Sequence, residues 1–397
     1  MGQRLFCLPF LPGPGKAKGS SAIQNKIGAL SRRGQAKRDH IKEEKTMKKR
    51  NTLKKFFALA AAAAMTLALC ACNGGVITSP DGPTVTVGGS GSSSQPAGEK
   101  TYKVAIIKQM DHASLDEIAN AVAAQLDKIA ADNGVTIQYT VTSGQNGDQT
   151  ILKQLADQAI ADGVDAIIPI ATTAAQVAAA SAGDTKTPVV FATVSDPETA
   201  GLTGIDYVTG TSDALNTAFI LDMMFAQNPD IQGVGLLYSL SEPNSAKPIA
   251  DAKAYLDSKG IRYEEGVANT NDEVISAARS LIGMDAIFTP TDNVIASAEL
   301  AIYEDLIIAG VPHYTGADSF VRNGAFATCG VNYTDVGHRT AELAYQVMTQ
   351  GMDGMEDFYL MDGGIITVNT ETAAGLGADY SVFNSMGTVV EVQTSED

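Results

Sequence analysis

Six short polar stretches mark where this sequence could do chemistry: His112, Thr172-Thr173, Ser195-Asp196, Asn244-Ser245, Asp292-Asn293 and Asp318-Ser319. Each lies just past a β-branched apolar run, and most of them open a stretch of helical period. A threonine pair in that position sets hydroxyls beside the unpaired N–H groups of a helix start, which suits a carboxylate. The same threonines can act simply as N-caps. Asp318 and Asp292 supply negative charge for an ammonium group, although Asp292 can instead cap its own helix and Ser319 can cap in place of Asp318. Ser195 is the ligand candidate of its stretch, because Asp196-Pro197 has the form of a cap followed by a first helical proline. His112 precedes Ser114-Leu115-Asp116-Glu117, a capping-box pattern, and Asn244 with Ser245 holds the corresponding place after the run 234–238. Taken together, the groups provide poles for a zwitterion: hydroxyls and helix ends for a carboxylate, aspartates for an amine.

Enzyme chemistry finds little support. The part following the N-terminal 72 residues has three histidines, His112, His313 and His338, without metal-ligand spacing. It has no Gly-x-Ser-x-Gly elbow, P-loop or Gly-x-Gly-x-x-Gly. No metal, cofactor or catalytic residue is expected.

The elements that must position these groups alternate along the chain. Apolar runs at 104–107, 166–170 and 189–191 read as buried strands, and 117–131, 151–161 and 174–182 as helices between them. That alternation predicts an α/β fold with parallel sheets. It then recurs: Gly163-Val164-Asp165-Ala166-Ile167-Ile168 is echoed by Gly283-Met284-Asp285-Ala286-Ile287-Phe288 at an offset of 120. Asn133-Gly134-Val135 is echoed by Lys259-Gly260-Ile261, and Gly204-Ile205-Asp206-Tyr207 by Gly330-Val331-Asn332-Tyr333. A long internal period means two similar folding units. The expectation is two Rossmann-like lobes whose strand ends face a common cleft, where ligands of open α/β sheets bind. Lobe 1 spans 101–206 and is completed by about 333–360; lobe 2 spans 207–332 and is completed by about 361–397. The two Gly-x-(Asp/Asn)-Tyr segments serve as the crossover hinges.

The N-terminal region sets the compartment. Residues 47–72 carry a basic head, an apolar run from Phe56 to Leu69, and then Cys70-Ala71-Cys72. Spanning a bilayer takes about 20 apolar residues, so the run is an export signal, not an anchor. The cysteine at the cleavage point resembles a bacterial lipobox, with Cys72 the lipid acceptor because small Ala71 precedes it. Residues 1–46 read as a disordered artefact of start-site choice, and 73–100 as a Gly/Ser-rich flexible tether. Past residue 72 the chain has 13 basic and 42 acidic side chains, a net charge of −29. Such a surface repels nucleic acid. Cys329 alone remains beyond Cys72, so no internal disulfide is expected.

The motifs Asp111-His112-Ala113-Ser114-Leu115-Asp116, Gly144-Gln145-Asn146-Gly147-Asp148-Gln149, Ala171-Thr172-Thr173-Ala174-Ala175-Gln176, Val194-Ser195-Asp196-Pro197, Glu242-Pro243-Asn244-Ser245 and Pro290-Thr291-Asp292-Asn293 run in an order that resembles a family of bacterial ABC-transporter substrate-binding lipoproteins. The resemblance covers roughly 103–377. It implies the type I binding-protein fold, a monomer working with an ABC permease and ATPase, and uptake of an aromatic amino acid. Phe191, Tyr238, Tyr333 or Met110 would wall the ligand. Two alternatives stay open: a sensor signalling to a membrane partner, and a sugar or nucleoside ligand, of which the sugar is disfavoured by the absence of any tryptophan platform.

Overall fold

The computed structural model of this protein describes residues 100–395. The start-site segment, the export signal with Cys72, and the tether up to residue 99 lie outside the described residues.

The first part alternates β1 (Thr101–Lys108), α1 (Ala113–Asn133), β2 (Thr136–Ser143), α2 (Gln149–Ala161), β3 (Ala166–Ile170), α3 (Thr172–Ser181), β4 (Val189–Phe191) and β5 (Val208–Ser212). The second runs α4 (Thr217–Gln227), β6 (Gly233–Tyr238), α5 (Pro243–Lys259), β7 (Arg262–Val267), α6 (Asn271–Ser280), β8 (Ala286–Thr289), α7 (Asn293–Ala309), β9 (His313–Thr315), α8 (Asp318–Arg322) and β10 (Ala327–Gly330). The chain then returns through α9 (Tyr333–Gln350), β11 (Tyr359–Leu360), β12 (Ile365–Asn369), α10 (Thr370–Leu376) and β13 (Thr388–Val392).

These strands form two sheets, ordered β11-β5-β4-β3-β1-β2 and β13-β12-β10-β9-β8-β6-β7. The strand pairs of the first are parallel, and in the second β10 runs antiparallel to β12. The sequence echo is thus topological: β3 and β8 hold equivalent places, flanked by β1 and β6 on one side and β4 and β9 on the other. β3 is buried along its whole length, as a parallel strand covered by helices on both faces must be. The second echo has a local cause as well. Gly134 and Gly260 end α1 and α5 in the left-handed conformation, φ 62° and 68°, where a side chain would be strained.

The first crossover does not lie where the sequence placed it. Gly204-Ile205-Asp206-Tyr207 leads into β5, and β5 pairs with β4, so this segment stays inside lobe 1. The chain leaves lobe 1 only after Ser212, and the boundary moves from 206 to the 213–216 turn. Val208-Thr209-Gly210-Thr211-Ser212 looks too polar for a core strand, yet all five residues are buried. Its hydroxyls are satisfied: Thr209 donates to Glu356 O at 2.8 Å, and Thr211 lies 2.8 Å from the Thr340 hydroxyl. Gly210 has no side chain because a methyl there would overlap the Phe191 carbonyl of β4. Gly330–Tyr333 does cross between lobes, carrying the chain from β10 into α9, and 361–364 returns it from β11 to β12.

α9 packs along α1 and so belongs to lobe 1. Gly337 makes the close approach possible, since an added methyl would sit 2.5 Å from Ala121 Cβ and 2.8 Å from Ile118 O. The strand ends of both sheets, with the turns following them, face each other across a cleft.

Candidate functional site

A narrow cavity of about 20 Å³ lies between the lobes. Lobe 1 lines it with His112, Ser114, Leu115, Ala171, Thr172, Thr193 and Ser195, and lobe 2 with Asn244, Thr291, Asp292, Asn293, Ala296, Ala317 and Phe320. Asp213 and Tyr333 come from the crossovers and complete the wall. Ala171 and Thr193 hold positive φ, 79° and 55°, without being glycine. Strain of this kind costs about 1–3 kcal/mol per residue and collects at functional sites.

Of the nine candidate ligand residues, six line the cavity: His112, Thr172, Ser195, Asn244, Asp292 and Asn293. Thr173, Ser245 and Asp318 do not. Thr172 opens α3 with a buried hydroxyl that has no hydrogen-bond partner. The next amide is already engaged: Thr173 N–H donates to Gln109 Oε1 at 3.0 Å. Asn244 donates Nδ2–H to Thr291 O at 2.6 Å, while its Oδ1 is buried and unpartnered.

Asp292 has a different task from receiving an ammonium. Its Oδ1 accepts Val294 and Ile295 N–H at 3.1 Å each, capping α7, and its Oδ2 accepts Ser239 N–H and the Ser245 hydroxyl at 2.7 Å each. Four donors occupy the carboxylate, so Asp292 contributes its charge to the cavity but no open acceptor. Ser245, fully buried, is the partner that holds it. Asp318 begins α8 with Oδ2 3.3 Å from Arg322, so a cation already attends it, yet its Oδ1 is buried without a partner. Burial pushes the Asp318 carboxyl up to about 6, against the opposing pull of Arg322.

The lobes are joined directly by side chains. His112 Nε2–H donates to Asn293 Oδ1 at 3.0 Å, and Ser114 meets Ser319 hydroxyl to hydroxyl. Ser114 is therefore an interlobe contact and not the cap of α1, whose N-cap residue is His112 with no side-chain cap bond. Burial drives the His112 imidazole down to about 4, despite the raising effect of its bond to Asn293. The ring is neutral at neutral pH.

Three functional residues escaped the sequence reading. Glu242 is buried and accepts Gln109 Nε2–H from lobe 1 at 2.7 Å and Asn293 Nδ2–H at 2.6 Å. Burial, and then the charge of Asp292, raises its carboxyl. Gln109 is 1 % exposed and ties this pair to α3. Asp213 is 4 % exposed and accepts the Ser195 hydroxyl at 2.9 Å and the Tyr333 hydroxyl at 3.2 Å. Since Ser195 donates to Asp213, its 3.2 Å contact with Thr291 is one in which Thr291 donates. Asp213 follows the strand that was not recognised; Glu242 stands in the motif Glu242-Pro243-Asn244-Ser245, of which only Asn244 and Ser245 were expected at the ligand. It is the N-cap residue of α5 but its side chain makes no cap bond.

Of the four walls expected, only Tyr333 lines the cavity, joined there by Phe320 and the aliphatic Leu115. Phe191 is in the lobe 1 core, Tyr238 donates to Glu265 at 2.5 Å, and Met110 is buried and lines a separate pocket with Asn146 and Asn269. Burial, reinforced by the charges of Asp213 and Asp318, raises the Tyr333 phenol well above its ordinary value. Among the described residues no cluster of His, Cys, Asp and Glu could hold a metal ion, and no helix is long and apolar enough to cross a membrane.

Residues 103–381 match the family described as ABC transporter substrate binding protein. A protein of Clostridioides difficile strain R20291 named tyrosine-binding protein is 28% identical over 284 residues, which is 70% of this chain and 81% of the relative. Among solved structures, a conserved domain protein from Vibrio cholerae superposes with a TM-score of 0.68 at 26% identity, covering 74% of this chain and all (100%) of that one. An ABC domain from Streptococcus pneumonia solved in complex with L-Trp superposes with a TM-score of 0.66 at 28% identity, covering 73% of this chain and 100% of the other.

Proposed function

This chain belongs to the ABC transporter substrate binding protein family, a family of solute binders and not of enzymes, and from that premise we propose that it captures an aromatic α-amino acid between its lobes for an ABC importer. The observation that carries this reading is the placement of Asp213. It is a buried carboxylate on the cavity wall whose two partners are neutral hydroxyls, so a cationic group is what it lacks. The ligand's ammonium sits there, within the same cavity as the unpartnered Asn244 Oδ1. The carboxylate faces the Thr172 hydroxyl at the start of α3, and the ring packs on Phe320 and Tyr333. The names of the two amino-acid-binding relatives support the ligand class.

Binding closes the lobes. The three crossovers absorb the rotation while the packed sheets move as rigid bodies, and the ligand drives closure through contacts that both lobes make only when shut. The protein works outside the cytoplasm, held to the membrane by a lipid on Cys72, and hands its cargo to a permease and ATPase.

Calorimetric titration with the standard amino acids tests the ligand class. L-tyrosine, L-tryptophan or L-phenylalanine should saturate at one site per chain. A panel in which none binds, or in which a sugar binds instead, would overturn the reading.

A further inference from the structure

We propose that the space behind the crossovers is a second small-molecule site, one that takes a neutral aromatic ring system and whose occupancy tightens binding in the cleft. The site lies apart from the interlobe cavity and its ligand is not the cargo, so the inference goes beyond the amino-acid reading above. Only its coupling to the cleft rests on the lobe closure proposed there.

A pocket of about 300 Å³ opens there, many times the room of the interlobe cavity. All three crossovers line it: the 213–216 turn, the 330–333 segment, and Gly363-Gly364 on the return from β11 to β12. The two adjacent glycines remove side chains that would otherwise fill it. A methyl on Gly363 would meet only Gly330 O at 3.8 Å and Val331 Cγ1 at 3.9 Å, and one on Gly364 would meet nothing within 4 Å. A dry cavity of about 150 Å³ already holds benzene, so this pocket has room for a fused bicycle.

The wall is mostly apolar. Leu215, Phe219, Val331 and Met386 are half-buried, packed against the cores on one side and bordering the pocket on the other. Phe219 offers a ring for stacked or edge-on contact, and Met386 a thioether, which favours aromatic partners. Burial pushes the Cys329 thiol up to about 11, so it lines the wall as a neutral group. Asp213 is the one carboxylate of the lining, and no Lys, Arg or His borders the pocket. Its two oxygens accept from Ser195 and Tyr333, both on the cleft wall, so what reaches the pocket is its negative field. An anion is repelled there, and a neutral ring is what the wall accepts.

Asp213 and Tyr333 border this pocket and the interlobe cavity alike, and the 3.2 Å bond between them forms the partition. The pocket has its present shape while Gln109 meets Glu242 and His112 meets Asn293 across the lobes. Rotation of the lobes moves the three crossovers against one another and changes that shape. A ring that fits the pocket therefore favours the shut arrangement. By linkage it tightens the cargo, and the cargo tightens the ring by the same factor.

The test is calorimetric titration of the full exported chain with indole, with and without a saturating amino acid from the panel above. Indole should bind at one site per chain, and about fivefold or more tightly with the amino acid present. Indole-3-acetate, its anionic counterpart, should bind about tenfold more weakly under the same saturation, the order of a like charge a few ångströms away. Met386→Trp puts a ring into the pocket from outside the crossovers and should abolish indole binding while leaving the amino acid's own affinity unchanged. Phe219→Leu removes the aromatic wall without filling the pocket and should weaken indole by about three- to tenfold. Small-angle scattering reads the coupling without any amino acid: indole should reduce the radius of gyration of the free chain. Indole that competes with the amino acid, that binds Met386→Trp as well as wild type, or that moves neither the amino acid's affinity nor the radius of gyration would overturn the inference. So would indole-3-acetate binding as well as indole, or no binding of indole at all. If no amino acid binds while indole does, and Met386→Trp abolishes it, the site stands and the amino-acid reading alone falls.

Discussion

Gln109 of lobe 1 donates its side-chain amide to the Glu242 carboxylate of lobe 2 across the cleft, at 2.7 Å, with both residues buried. Glu242 also accepts from Asn293, and Asn293 accepts from His112 of lobe 1, so a chain of side chains crosses the interface twice. Each bond in it joins protein to protein. On the closure proposed above, part of its free energy is built into the chain and does not come from cargo.

Breaking that link should open the lobes. Gln109→Leu leaves the buried Glu242 one donor short, at a cost of about 1–3 kcal/mol to the closed form. Small-angle scattering should give a larger radius of gyration at subsaturating ligand, with roughly tenfold or greater weakening of affinity. A double-mutant cycle with Glu242→Leu should show coupling between the two positions. Strict additivity, with compaction unchanged, would mean that the bond carries no closure energy.

Asp292→Ala should act on stability before it acts on binding. It removes the cap of α7, worth typically about 1 kcal/mol, and strands the buried Ser239 amide, worth about 1–3 kcal/mol more. The urea midpoint should fall by the equivalent of roughly 2–4 kcal/mol. Native stability with lost affinity would return Asp292 to the ligand.

Acid should oppose the closed form through His112. Its folded value is depressed to about 4 from 6.5, so its contribution is full above pH 6.5 and is lost as pH falls toward about 4. Asp318, raised to about 6 from 3.8, has the opposite sign: its contribution is full below 3.8 and is lost as pH rises through about 6. His112→Gln should therefore remove the acid-induced fall in melting temperature between pH 6.5 and 5 and expose the rise due to the buried carboxyls whose values are raised, Asp318 and Asp292 to about 6 and Glu242 to about 8. Wild-type and variant curves that stay parallel over that window would exclude His112 as the source.

Anchoring can be tested apart from the fold. Cys72→Ser should release the protein from the membrane fraction or block its maturation, and Cys70→Ser should leave both intact. Wild-type protein whose mature N-terminus is unmodified and lies beyond Cys72, by mass spectrometry, would end the lipid-anchor proposal.

The sequence alone determined the alternation of strands and helices, the doubling of the unit, and the turns that meet at the cleft. These are local properties: apolar period, glycine at left-handed helix ends such as Gly134 and Gly260, and polar residues following apolar runs. It also placed His112, Thr172, Ser195, Asn244 and Asn293 near one another, because equivalent strand ends of a repeated fold must converge. It could not say which atoms remain available. Asp292 and Asp213 are both aspartates beside a helix or a turn, yet Ser239 and Ser245, some fifty residues away in sequence, fill the acceptors of one. The other keeps an uncompensated charge because its partners, Ser195 and Tyr333, are neutral. β5 was hidden for a related reason: Thr209 and Thr211 are buried only because Glu356 and Thr340, from the returning chain, take up their hydroxyls. Whether a buried polar group is spent or free depends on partners distant in sequence, and packing alone brings those partners within reach.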